Sequence, residues 1–188
     1  MVKGNSKGKR GERKICETLS ERFKSYGKFN RIPTSGAFGS THQLSESAKK
    51  AYCGDVLAPD PSFIFSLEIK TGYNIDILNL FSDKSTTDHK TVVDFLFQAC
   101  SDANRIEGRI PMLIYQKDRR EVICFIPEEN HNKKFELKEI INNKLKKYMR
   151  IYFEIKDFEK WNYWYVIPLV DLLNVAEDSF FFEDKRNE

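Results

Sequence analysis

The sequence predicts an α/β fold, with α+β as the neighbouring alternative: a β-sheet carrying helices on its faces. Three observations carry the prediction. Strand-like apolar runs are interspersed with segments of helical periodicity rather than segregated from them. The length, 188 residues, suits one core. Hydrophobic residues make up 40% and aromatic residues 13% of the chain, enough apolar area to offset the entropy of ordering such a backbone.

The elements follow in order. Ile15, Leu19, Phe23 and Tyr26 recur at three- and four-residue intervals, which predicts an amphipathic helix over 9–26 stopped by Gly27. A strand-like stretch, 29–32, leads into a run of small, turn-forming residues over 33–41 that reads as a loop. Two β-like runs, 52–58 and 62–70, flank Pro59-Asp60-Pro61 and predict a hairpin. Val92, Val93, Leu96, Ala99, Cys100 and Ala103 restore helical spacing over 89–106. Strands are predicted at 110–115 and 121–126, around the charged turn Lys117-Asp118-Arg119-Arg120. A lysine-rich helical segment over 135–148, strands at 151–155 and 163–167 and a short helix at 168–174 complete the pattern. The expectation is a single domain over 1–188, with 1–8 a flexible basic tail and 177–188 an acidic C-terminal tail.

Composition excludes several classes. No stretch approaches the roughly 20 apolar residues of a membrane-spanning helix, so no membrane partner is expected. The basic start has no apolar stretch behind it, unlike a secretory signal, and an intracellular, cytoplasmic address is expected. Cys16, Cys53, Cys100 and Cys124 show neither CxxC nor zinc-ligand spacing and read as reduced, mostly buried thiols, with two disulfides as the alternative. A net charge of +3 identifies no partner by itself. Its distribution is more informative, because Lys3, Lys7, Lys9, Arg10, Arg13 and Lys14 crowd one end: either a solvated terminus or a phosphate-facing surface.

The chemistry-bearing residues lie in the predicted hairpin. A turn centred on Asp60-Pro61 pairs residues whose numbers sum to about 121, placing Asp55 opposite Ser66 and diagonal to Glu68. Side chains alternate along a strand, so Ile64, Ser66, Glu68 and Lys70 share one face while Phe63, Phe65, Leu67 and Ile69 form the apolar other. A solvent-facing Glu-x-Lys is the bland reading; convergence with Asp55 and a third acid sharpens it. Glu12 is that candidate, lying on the apolar stripe of Ile15, Leu19 and Phe23, with a first-turn glutamate favouring the helix dipole as its alternative. Buried carboxylates repel unless a cation joins them, and oxygen donors suit Mg²⁺, with Mn²⁺ able to substitute. Phosphodiester hydrolysis can demand a barrier reduction at or beyond ~20 kcal/mol, more than one positioned acid or base supplies, which also favours a metal. On this reading Asp55 and Glu68 hold the ion with the Ile69 carbonyl and Glu12, while Lys70 orients water or offsets charge.

Taken together, Gly11-Glu12-Arg13, Arg31-Ile32-Pro33-Thr34-Ser35-Gly36, Gly54-Asp55-Val56 and Glu68-Ile69-Lys70 resemble the Holliday-junction resolvases of the PD-(D/E)xK superfamily, archaeal and phage. The similarity runs over 8–126, including Gln98 on the second helix and Pro111-Met112-Leu113-Ile114 as the next core strand. It implies a restriction-endonuclease-like mixed sheet flanked by helices, and a homodimer that nicks four-way DNA junctions in recombination and repair. It also implies DNA contacts by Arg31, Ser35 and Gln98, beside the basic Lys9, Arg10 and Arg13. Ser35 has a turn residue and Gln98 a surface helix residue as alternatives. One departure is that the literal Pro-Asp pair is Pro59-Asp60, assigned to the turn, whereas Asp55 follows glycine. Competing functions are another PD-(D/E)xK endonuclease, of repair or restriction type, and a non-catalytic DNA-binding module.

Outside the resemblance, His42, His89 and His131 share no spacing. Trp161, Tyr163, Trp164 and Tyr165 read as core or interface packing before base stacking. Lys144, Lys146, Lys147 and Arg150 read first as a solvated helix face and second as a DNA-backbone contact.

Overall fold

The computed structural model describes residues 4–32, 54–72, 91–117, 120–128 and 137–183. Its centre is a mixed five-stranded sheet built from β3 (Phe65–Thr71), β4 (Ile110–Gln116), β5 (Ile123–Pro127), β6 (Met149–Tyr152) and β7 (Tyr163–Pro168), in the order β3-β4-β5-β7-β6. β3 and β4 run parallel, and the other neighbours are antiparallel. A parallel pair needs a crossover. Helix α2 (Val92–Asn104) lies between β3 and β4 in the chain, started by a reciprocal Thr91–Asp94 capping box. A two-stranded antiparallel ribbon, β1 (Asn30–Arg31) with β2 (Val56–Leu57), stands beside the sheet. The predicted α/β architecture, a mixed sheet flanked by helices, is the one observed.

Two cores result. On one face, Ile15 and Leu19 of α1 (Gly4–Arg22) and Phe23 just beyond it pack with Leu67, Ile69, Ile114 and Ile167, joined by Leu137 and Ile141 of α3 (Leu137–Lys144) and by Leu169, Leu172 and Leu173 of α4 (Leu169–Val175). On the other, Phe95, Leu96, Ala99 and Ala103 of α2 cover Leu113, Tyr115, Phe125 and Trp164. Trp161, Trp164 and Tyr165 are buried, and Tyr163 is exposed. Cys16, Cys100 and Cys124 are free and buried; Cys53 lies outside the described residues.

Several expectations need correction. The first helix spans Gly4–Arg22, so residues 4–8 belong to it rather than to a flexible tail. The 52–58 and 62–70 runs form no hairpin. β2 pairs with β1, β3 pairs in parallel with β4, and the Gly54–Leu67 bridge between the two runs is itself parallel. A parallel bridge leaves the sum-of-121 register without meaning. The C-terminal segment also differs. α5 (Asp178–Phe181) and Phe182 enter the first core, where Phe181 packs against Phe23 and Phe182 stacks on Tyr26. Charge at 177, 178 and 183 suggested a tail, but the three intervening phenylalanines decide its burial.

Candidate active site

The local chain path explains the site. Gly54 sits at φ 79°, and a Cβ there would collide with the Leu67 carbonyl oxygen. Only glycine therefore lets this backbone lie against β3. Proline, fixed near −65°, is excluded, which accounts physically for the missing Pro before Asp55. The approach is locked by the Asp55 amide, which donates to the Leu67 carbonyl at 2.7 Å, and by the Ile69 amide, which donates to Asp55 Oδ2 at 2.8 Å. A wrong register thus led to the right neighbours: Asp55 reaches the Glu68–Ile69 segment through a parallel bridge, not across a hairpin.

Glu68 and Lys70 share a face of β3, and the register aligns them with Leu113 and Tyr115, on the side covered by α2. The polar face is therefore not solvated. Asp55 is 5% exposed and Glu68 is 1% exposed. The Lys70 ammonium forms an ion pair with Glu68 and lies 5.4 Å from the Phe95 ring centroid. Among the described residues Glu68 accepts no hydrogen bond from a backbone amide or neutral side chain, so Lys70 is its compensating partner. Burial pushes the Glu68 carboxyl up to about 8; the Asp55 charge adds to this and Lys70 opposes it.

Glu12 reaches the same region from α1. Gly11 makes this possible, because a Cβ there would run into Thr71 at the end of β3. Glu12 is ion-paired with Arg31, which β1 holds beside β2, where the Ile32 amide donates to the Asp55 carbonyl at 2.9 Å. Buried Cys16, one turn along α1, registers the charges of Glu12, Arg31 and Asp55, and burial first among these influences pushes its thiol up to about 11. Among the described residues no three acidic, histidine or cysteine side chains form a ready metal cluster, and Glu12 is engaged by Arg31.

The remaining candidates are dispersed. Gln98 is half-buried on α2, and Lys9, Arg10 and Arg13 are exposed on α1. Ser35, the three histidines and the segment 33–53 lie outside the described residues. One residue was missed. Asp102, one helical turn beyond Gln98, is 8% exposed, pairs with Arg105 at 3.2 Å and lies in the electrostatic field of Asp55 and Lys70. Burial raises its carboxyl above the ordinary range. Its spacing from Gln98 was the available signal, but burial of a helical aspartate is set by packing that spacing does not reveal.

The donor set fits a hard cation: two buried carboxylates that feel each other's charge, offset among the described residues by the Lys70 ammonium, form an arrangement that a divalent ion relieves. Comparison with known proteins agrees. Residues 3–181 match the family described as "Phage putative PDDEXK endonuclease". The chain belongs to this family. It is a PD-(D/E)xK nuclease family of phage type, whose members generally use divalent metals. Protein D14 of Escherichia phage T5 is 32% identical to the chain over 123 residues, 63% of this chain and 67% of that protein. No solved structure matches significantly. Among the described residues no helix is long and apolar enough to cross a membrane.

Proposed function

We propose that the chain is a Mg²⁺-dependent endodeoxyribonuclease and, more specifically, a resolvase that nicks four-way DNA junctions as a homodimer. The observation that carries the nuclease reading is the buried Asp55–Glu68 pair with Lys70 beside it, the Lys70 ammonium being the cation that offsets Glu68 among the described residues. Asp55 and Glu68 would hold the ion, with the Ile69 carbonyl and Glu12 as further oxygen donors. A bound divalent ion polarises the phosphoryl oxygen and lowers the pKa of the attacking water.

The chain's own groups do the rest. The Ile69 amide fixes Asp55 by donating to its Oδ2. Lys70, backed by the Phe95 ring, presents its ammonium where a phosphate approaching Glu68 would develop negative charge. Arg31, Ser35 and Gln98, with Lys9, Arg10 and Arg13 on α1, are proposed to hold the DNA backbone around the scissile bond. The junction preference rests on the resemblance of the four motifs and their order, and the dimer on the two-fold symmetry of paired nicks.

The test is gel-resolved cleavage of an end-labelled four-way junction and a matched linear duplex, with Mg²⁺ or EDTA. Paired nicks confined to the junction are expected. Equal cleavage of both DNAs would replace the resolvase with a repair or restriction-like endonuclease, and tight binding without cleavage would leave a DNA-binding module.

A further inference from the structure

Six large hydrophobic side chains are exposed among the described residues, and four of them, Tyr148, Met149, Tyr152 and Tyr163, gather at one rim of the sheet. Among the described residues β6 is the outermost strand there, paired with β7 on one side. Arg150 and Tyr152 alternate along it and so share a face, and Tyr148, just before the strand, joins that face by its contact with Tyr165. The register sets Arg150 against Tyr165 and Tyr152 against Tyr163. The rings form a connected surface: Tyr152 meets Tyr163 edge-on at 5.1 Å, Tyr148 meets Tyr165 at 6.1 Å, and the Arg150 guanidinium lies 4.2 Å from the Tyr163 centroid.

The rim is also basic. Between Glu139 and Glu154 the chain carries Lys144, Lys146, Lys147 and Arg150 and no acidic residue. Beneath them one carboxylate, Glu128, serves two cations, Arg150 at 2.8 Å and Lys138 at 2.9 Å. Lys144 reaches Glu177 at 3.5 Å, and Lys146 and Lys147 are exposed. An edge strand invites a second copy of itself, but two such rims would bring like charges together. Exposed aromatic faces interleaved with surplus cations complement a polyanion whose bases are free to stack.

We propose that this rim is a binding site for unpaired DNA, its tyrosines stacking on bases and its lysines and Arg150 holding phosphates. The site is separate from the scissile centre. Four inter-strand spacings, about 19 Å, divide β6 from β3. Glu68 and Lys70 point to the α2 face, whereas Tyr148, Arg150 and Tyr152 share the face of Tyr165, in the core on the α1 side. A strand held here is therefore a different segment from the one being cut, and the rim would retain the protein on DNA with single-stranded regions. The proposal relies on the nuclease reading only for choosing DNA among polyanions.

Fluorescence anisotropy in EDTA, where no cleavage intervenes, tests it on the full chain with a labelled oligothymidylate of roughly 20 nucleotides and a base-free oligomer of equal charge. Tyr148→Ala with Tyr152→Ala should weaken oligothymidylate binding at least about tenfold and spare the base-free oligomer. Lys146→Glu with Lys147→Glu, both exposed and removable without harm to the core, should weaken both and lower the salt slope by about 2. Asp55→Asn should bind like wild type, which separates failure of this site from failure of the nuclease reading. Unchanged oligothymidylate affinity in both double variants would overturn the proposal. So would a concentration-dependent dimer abolished by the tyrosine pair while DNA binding persists, which would make the rim a contact between copies.

Discussion

At the residue scale Glu68 is the most informative group. Its carboxyl is displaced from an ordinary value near 4.5 to about 8, by burial first and by Asp55 second. A carboxyl whose pKa is higher in the folded than in the unfolded state contributes stability below the unfolded value and loses it as pH rises through the folded one. The metal-free protein should therefore lose at least about 5 °C of melting temperature between about pH 5 and about pH 8. In Glu68→Gln that slope should largely vanish, and Mn²⁺ should restore wild-type stability at the alkaline end. Scanning fluorimetry in EDTA and in Mn²⁺ reads all three; a flat wild-type profile would mean that Glu68 is not held as a strained acid. Asp55, Glu68 and Lys70 were legible because their motif is local in sequence. Asp102 and the Glu12–Arg31 pairing were not, because each joins residues whose proximity only the packing of a helix on the sheet creates.

At the element scale, strand and helix positions were largely readable from periodicity, but pairing was not. Period two says which residues share a face and nothing about which strand lies alongside. The proline-flanked turn suggested a hairpin, whereas Asp60 uses its carboxylate to bind the Ser62 amide at 2.9 Å and hydroxyl at 2.7 Å, and the chain then leaves β2 to join β4. The C-terminal segment was misjudged because its charges are conspicuous and its three adjacent aromatics lack helical or strand spacing. Arg22 ties that segment to α1 by donating to the carbonyls of Leu173 at 2.7 Å and Ala176 at 2.9 Å and to Asp178 at 2.7 Å. Phe181, 1% exposed among Phe23, Phe65 and Phe180, is its anchor. Phe181→Ala should cost about 3–5 kcal/mol and lower the melting temperature by roughly 10 °C. A loss under about 1 kcal/mol in denaturant unfolding would return the segment to the status of a tail.

At the scale of the whole molecule, the sheet separates two surfaces. The β3 edge assembles carboxylates and an ammonium from segments that a glycine at Gly54 and another at Gly11 allow to approach closely. The β6 edge displays tyrosines and cations. Composition and motif order were enough to indicate the architecture and the chemical centre, while the second surface depended on which aromatics the sheet left uncovered. Asp55 and Glu68 are proposed to form a metal-dependent hydrolytic site, and the initial rate of DNA nicking by wild type, Asp55→Asn and Glu68→Gln at saturating Mg²⁺ tests it. Each substitution should lower the rate by at least about 10³-fold, with wild-type DNA affinity retained and wild-type cleavage abolished by EDTA. Cleavage within about tenfold of wild type in either folded variant would place the chemistry elsewhere in the chain.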